Sequence, residues 1–255
     1  MKGGFEVGDR VLLLGEKDSM IITLQDGMTH LGRGRGAVSS NRFTQSFPGD
    51  RIRLGSGEYV LLVPDMLDHL QHIKRGAQMI LPGDSDAIVT GLALRSGSRV
   101  IEGGAGSGGL TIALLNAVSP GGRVMTIEMR EDHLKNCSTN VRGSGLEGCF
   151  EGRIGDIYEE WEKTDIDAAA LDVPEPERAL GPASRALRPG GRICCFVPTM
   201  NQVERVFLAM KELGFSEPRA EERIIRELSV KKGAVRPASG NLSHTGYLVF
   251  ARWIG

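Results

Sequence analysis

The chain has 255 residues, 40% of them hydrophobic and 25% charged, a size and mixture that suit one large domain plus a small one. Its net charge of −1 excludes a general electrostatic pull toward nucleic acid. No apolar run reaches the length of a membrane span, and the opening Met1-Lys-Gly-Gly-Phe-Glu-Val is no signal peptide, so neither membrane insertion nor export is expected.

Residues 1–63 read as a small β domain, barrel-like. Arg10–Leu14, Met20–Leu24, Asp50–Leu54 and Tyr59–Val63 are short apolar runs, punctuated by Gly8-Asp9, Asp26-Gly27, Gly49-Asp50 and Gly55-Ser-Gly57. Between Leu31 and Leu54, Arg33, Arg35, Arg42, Arg51 and Arg53 stand against Asp50 alone. Glycine and serine around them place these arginines on turns, where they form either a solvated surface or a contact for phosphate.

Residues 64–96 read as a linker helix and cap. The helix runs from Asp65 to Arg75 and stops at Gly76; His69 and His72 on it lack a third ligand, so no metal site is expected. Gln78-Met-Ile-Leu-Pro-Gly-Asp84 then leads to a helix at 86–95 that Asp84 or Ser85 can cap.

From 97 to 255 the pattern is regular. Strands 99–102, 123–128, 149–154, 167–172 and 191–197 alternate with helices 109–118, 131–142, 175–187 and 200–213, the signature of a doubly wound parallel sheet. Two late strands, Glu221–Leu228 and Gly246–Trp253, follow with no clear helix between them, so they are expected to pair antiparallel at one edge. The fold class is therefore α/β, a seven-stranded Rossmann-like methyltransferase sheet with a small N-terminal β domain. Cys137, Cys149, Cys194 and Cys195 show no CxxC spacing and read as thiols of a cytoplasmic protein.

The informative stretch is Glu102-Gly-Gly-Ala-Gly-Ser-Gly-Gly-Leu-Thr111, where a strand, a glycine turn and a helix start meet. Glycines omit the Cβ atoms that would block a ligand, and the first helical turn offers free N–H groups. Gly104-x-Gly106-x-x-Gly109 satisfies a dinucleotide fingerprint, while Glu102-x-Gly104-x-Gly106-x-Gly108 satisfies the acidic-then-glycine loop of S-adenosylmethionine enzymes. In the second reading Glu102 orders the turn beside the methionine end of the ligand. Glu128 ends the next strand, where its carboxylate can accept both hydroxyls of a ribose.

Two further carboxylates follow strands. Asp156 either accepts the exocyclic amino group of an adenine or caps the turn after it. Asp172, after the Ala-Ala-Ala-Leu strand and braced by Pro174 and Pro176, either projects toward a methyl donor's sulfonium or caps the next helix.

From Gly76 to Phe250 the chain resembles the tRNA adenine-N1 methyltransferase family, which methylates a T-loop adenosine at tRNA position 58. The resemblance rests on Gln78 through Asp84, the Glu102–Thr111 loop, Glu128 with His133, Gly155-Asp156, Asp172-Val-Pro-Glu-Pro176 and His244-Thr-Gly-Tyr-Leu248. It implies that S-adenosylmethionine is held by Gln78, Glu102, Gly104, Ala105, Gly106, Ser107, Gly108, Glu128, His133 and Asp156, with Asp172 at the methyl-transfer centre. It also implies a homotetramer acting on tRNA, with Arg33, Arg35, Arg42 and His244 as candidate RNA contacts. Two positions depart from the family: Leu81-Pro82-Gly83-Asp84 replaces Tyr-Pro-Lys-Asp, and Glu177 stands where tryptophan is usual. Both remove groups that could wall the target base. A methyltransferase acting on a small molecule or protein, a non-catalytic RNA-binding subunit and a dehydrogenase are the alternatives.

Overall fold

The computed structural model describes residues 4–32, 34–74, 76, 79–240 and 244–255, so Arg33 and Gln78 lie outside the described residues. The chain divides into two compact units, Met1–Ile73 and Lys74–Gly255.

In the first unit, β1 (Arg10–Gly15), β2 (Ser19–Thr23), β3 (Met28–His30), β4 (Ala37–Ser39), helix α1 (Asn41–Thr44), β5 (Arg51–Leu54), β6 (Gly57–Leu62) and α2 (Met66–His72) follow in order. The strands form a four-stranded sheet, β2-β1-β6-β5, and a two-stranded ribbon, β3-β4. Val11, Leu13, Ile22, Leu24, Phe43 and Leu61 fill its core. Strand β4 lies within the arginine-rich span 31–54 and β3 just before it; each strand has three residues, too short for an alternation to show. Asp65 and Asp68 close a reciprocal capping box on α2, which fixes where the helix begins.

The second unit contains α3 (Pro82–Gly91), β7 (Arg99–Gly103), α4 (Gly109–Val118), β8 (Arg123–Glu128), α5 (Glu131–Ser144), β9 (Phe150–Ile154), β10 (Ile166–Leu171), α6 (Leu180–Ala186), β11 (Leu187–Val197), α7 (Met200–Glu212), β12 (Ser216–Glu222), β13 (Leu228–Lys231), β14 (Ala234–Pro237) and β15 (Tyr247–Arg252). Its seven-stranded sheet has the order β12-β15-β11-β10-β7-β8-β9. The strands from β7 to β11 run parallel, and β15 is antiparallel to both neighbours. The expected reversed edge is present. Ala168, Ala169 and Ala170 of β10 are at most 1% exposed, as a strand between two sheet neighbours and covered on both faces requires.

Several boundaries differ from the sequence expectation. The edge strand expected at Glu221–Leu228 is β12, which ends at Glu222, and the following span holds the hairpin β13-β14 turned at Gly233. The helix expected at 86–95 starts at Pro82, whose fixed φ suits a first helical turn, and ends at Gly91. The helix expected at 175–187 splits into a 3₁₀ turn, Pro176–Ala179, and α6, and β11 begins at Leu187.

The sheet order reverses between β7 and β10: β8 and β9 are added on one side, β11 on the other. Connections leave in opposite directions there, opening a crevice beyond the carboxyl ends of the strands, where open α/β sheets bind ligands.

Candidate active site

A cavity of about 850 Å³ occupies that crevice, within the range that holds a cofactor and a substrate fragment. Every described residue lining it belongs to the second unit.

The glycine turn forms one wall through Gly104 and Gly106. Gly104, Gly106 and Gly108 have φ of 91°, 49° and 83°, left-handed values that residues with a Cβ rarely adopt. Space imposes the same choice: a Cβ on Gly104 would lie 2.3 Å from the carbonyl oxygen of Asp172. The Asp172 amide in turn donates to the Gly103 carbonyl at 2.8 Å, tying the ends of β7 and β10 together. The turn and the Asp172 corner are thus one construction.

Asp172 opens on the cavity and water reaches it, although protein atoms crowd its carboxylate on most sides. That crowding, with the negative charge of Glu128, pushes its carboxyl up to about 6. Glu128 is pinned at the end of β8: one oxygen accepts the Ala105 N–H at 3.0 Å, the other the Arg130 N–H at 2.9 Å. His133 Nδ1 stands 3.7 Å from the same carboxylate and also lines the cavity.

Glu102 lies behind the turn, 0% exposed, and does not line the cavity. Its Oε2 accepts hydroxyl hydrogens from Thr111 at 2.7 Å and Thr126 at 2.6 Å, while Oε1 has no partner among the described residues. Burial pushes this carboxyl up to about 8; the threonines oppose the shift, and Asp172 and Glu128 add to it. Glu102 therefore clamps the base of the turn rather than facing a ligand. Ala105, Ser107 and Gly108 also stand behind the wall: Ser107 Oγ accepts the Gly76 N–H at 3.0 Å, and Gly108 caps α4. Asp156 takes the capping alternative, its Oδ1 accepting the Tyr158 N–H at 2.9 Å.

The far wall comes from β11, β15 and α3: Phe196, Pro198, His244, Thr245, Leu81 and Asp84. Gly246 leaves room for the Phe196 ring, since a Cβ there would lie 2.2 Å from its Cζ. His244 Nδ1 donates to Glu222 Oε1 at 2.7 Å and Nε2 to the Pro198 carbonyl at 3.1 Å. Both partners accept, so the ring carries both protons, and the Glu222 carboxylate holds its pKa above the ordinary value.

The cavity fits S-adenosylmethionine on these observations. A Cβ-free wall admits the ligand closely, a fixed carboxylate ends the second strand, and Asp172 and Glu128 supply negative charge for a cationic sulfur. No group of His, Cys, Asp or Glu among the described residues could hold a metal ion.

Comparison with known proteins decides the family. Residues 59–236 match the family described as "tRNA methyltransferase complex GCD14 subunit". TrmI of Thermus thermophilus, named a tRNA (adenine(58)-N(1))-methyltransferase, is 33% identical over 92% of this chain and 92% of its own. The chain belongs to the tRNA (adenine-N1)-methyltransferase family. TrmI of Methanocaldococcus jannaschii, named for adenines 57 and 58, is 32% identical over 76% of this chain and 78% of its own. A crystal structure described as a SAM-dependent O-methyltransferase from Thermotoga maritima superposes with a TM-score of 0.87 at 30% identity, covering 99% of this chain and 95% of that one.

Within this methyltransferase the structure gathers Gly104, Gly106, Glu128, His133, Asp172 and His244 around one cavity. Arg35 and Arg42 belong to the first unit: Arg35 pairs with Asp18 at 2.6 Å, and Arg42 donates to the Arg53 carbonyl at 2.7 Å. Leu81 lines the cavity, while Glu177 pairs with Arg205 at 3.1 Å away from it. Phe196 and Tyr158 line the cavity without any sequence signal of it, while Asp84 and Thr245, which lie in motifs the family resemblance rests on, line it as well.

Proposed function

We propose that this chain transfers a methyl group from S-adenosylmethionine to N1 of a T-loop adenosine in tRNA, at position 58, with position 57 as a second site. The observation that carries the reading is Asp172, tied by its own amide to the end of β7 and opening on the cavity between the glycine turn and the far wall. When bound, S-adenosylmethionine supplies an electrophilic methyl group on a cationic sulfur, toward which the N1 lone pair of the target adenine is directed.

The chain's residues do the rest. Gly104 and Gly106 let the cofactor lie against the backbone, and Glu128 accepts its ribose hydroxyls with the lone pairs left by the Ala105 and Arg130 amides. His133 closes the same end. The target adenosine must leave its stack to reach the cavity, because N1 is hidden by pairing or stacking in folded RNA. Asp172 accepts a hydrogen bond from the adenine N6 amino group. As N1 acquires its third substituent the ring becomes cationic and N6 more acidic, so this bond strengthens and Asp172 can receive the proton.

The homotetrameric state is proposed alongside. It is supported by Ile224, Ile225, Leu228, Val230 and Val235, large aliphatic residues exposed on and beside the β13-β14 hairpin. Four free cysteines fit a reducing, cytoplasmic setting, and no helix among the described residues is long and apolar enough to cross a membrane. Light scattering on the purified chain checks the assembly.

The function is tested by incubating the chain with labelled S-adenosylmethionine and unmodified tRNA and mapping the modified base. Label in N1-methyladenosine of the T-loop is expected; label in another base or position overturns the reading. Asp172→Ala is expected to lose at least about a hundredfold in turnover while cofactor affinity is kept.

A further inference from the structure

Asp84 is 3% exposed, lines the cavity, and has no part in the mechanism above. It is the third residue of α3, yet the N-terminus of that helix has no side-chain cap, so the carboxylate is not spent on the helix end. Its surroundings are polar and specific. Burial pushes the carboxyl up, and the Thr245 hydroxyl, Arg223 and His244 pull it back. The Thr245 hydroxyl stands short of hydrogen-bond geometry, and its buried oxygen has no partner among the described residues. The cost of burying this carboxylate is recovered only where it meets a hydrogen-bond donor.

The cavity has two halves. Gly104, Gly106 and Glu128 belong to the carboxyl ends of β7 and β8; Phe196 and Pro198 belong to the carboxyl end of β11, and His244 and Thr245 precede the amino end of the antiparallel β15. Asp172, at the end of β10, stands between them. Gly83, next to Asp84, lies against the Ile225 side chain, and Gly91 of the same helix lies against the Phe250 ring of β15, so this face of α3 is turned to the β11–β15 half. Asp84 therefore belongs to the half left for the methyl acceptor.

Resting on the function proposed above, we propose that Asp84 reads the exocyclic amino group of the target adenine. The N6 amino group carries two hydrogens, one beside N1 and one beside N7. Asp172 accepts the first and Asp84 accepts the second, and the unpartnered Thr245 hydroxyl is free to donate to the Asp84 carboxylate. Two acceptors flanking one nitrogen specify an amino group. Guanine would present O6 there and face two like-charged acceptors, so the pair selects by repulsion as well as attraction.

The test couples a residue change to an atom change. Transfer is measured on tRNA carrying either adenosine or purine riboside, which lacks the amino group, at the target position. The wild-type preference for adenosine, as a ratio of kcat/KM, is expected to shrink roughly tenfold in Asp84→Asn, the loss expected for one hydrogen bond to a charged group. Thr245→Val should shrink the same ratio less, and both variants should bind S-adenosylhomocysteine as the wild type does. Should Asp84→Asn fail to fold, the Thr245→Val ratio decides alone. An unchanged ratio in the folded variants overturns the proposal, as does a lost affinity for S-adenosylhomocysteine with the ratio intact, which would put Asp84 at the cofactor end. A wild-type chain that leaves the adenosine unmethylated removes the parent reading, and this one with it.

Discussion

Asp172 and Glu102 sit on the two faces of one glycine turn, and both have carboxyls displaced upward from their ordinary range. The consequences are opposite in kind. Asp172 must be ionised to accept from N6, so kcat/KM for tRNA is expected to fall about tenfold per pH unit below about 6, the limb that reports the free enzyme. A pH–rate profile checks this, and Asp172→Asn should lose the limb together with most of the activity. Glu102 acts on stability. Its carboxyl titrates at 4.5 in an unfolded chain and at about 8 when folded, so the folded chain holds a proton that the unfolded chain has released across this window. Stability therefore declines as pH rises from 4.5 toward 8, by up to about 1.4 kcal/mol per pH unit, and is unaffected by this group below the window. Glu102→Gln removes the slope, and thermal melts at the two ends of the window measure it. At this scale the sequence was legible where local chemistry decides. Alternate glycines and strand-end carboxylates announce Gly104, Gly106, Glu128 and Asp172. It was silent where burial decides: no spacing reveals that Glu102 is sealed behind the turn, or that Arg35 and Arg42 are already engaged.

Among the elements, the turn joining β7 to α4 is the most constrained. Gly104→Ala would set a Cβ 2.3 Å from the Asp172 carbonyl oxygen, a backbone atom whose own amide is fixed on Gly103. Neither side can yield cheaply, and a destabilisation of about 1–3 kcal/mol is expected, with weakened S-adenosylhomocysteine binding. Calorimetric titration and a melting curve check both effects. The parallel strands were legible because buried strands are apolar throughout: Ala168–Leu171 and Ile193–Cys195 leave no other reading. The edge was not. β12 reads Ser-Glu-Pro-Arg-Ala-Glu-Glu, with a register shift between Ser216 and Arg219, so a mostly exposed strand carries no apolar alternation to detect. The β13-β14 hairpin escaped for the converse reason, its Val and Leu side chains facing outward and following no core.

For the molecule as a whole, all the described residues that line the cavity come from the second unit. A chain cut to residues 74–255 is therefore expected to bind S-adenosylhomocysteine near the full-length affinity while losing tRNA methylation, if the first unit serves the RNA. Titration of the fragment and a turnover assay separate the two effects. In the sequence, short apolar runs broken by turns mark the first part, and strands alternating with helical periodicity mark the stretch from 97 onward. The pressing of the Phe196 ring onto the bare backbone of Gly246, finally, constrains inheritance. A descendant can keep an aromatic residue at the first position or gain a side chain at the second, but not both. Across diverging lineages these two sites should drift in concert, and a homologue bearing both would have to bend the start of β15 away.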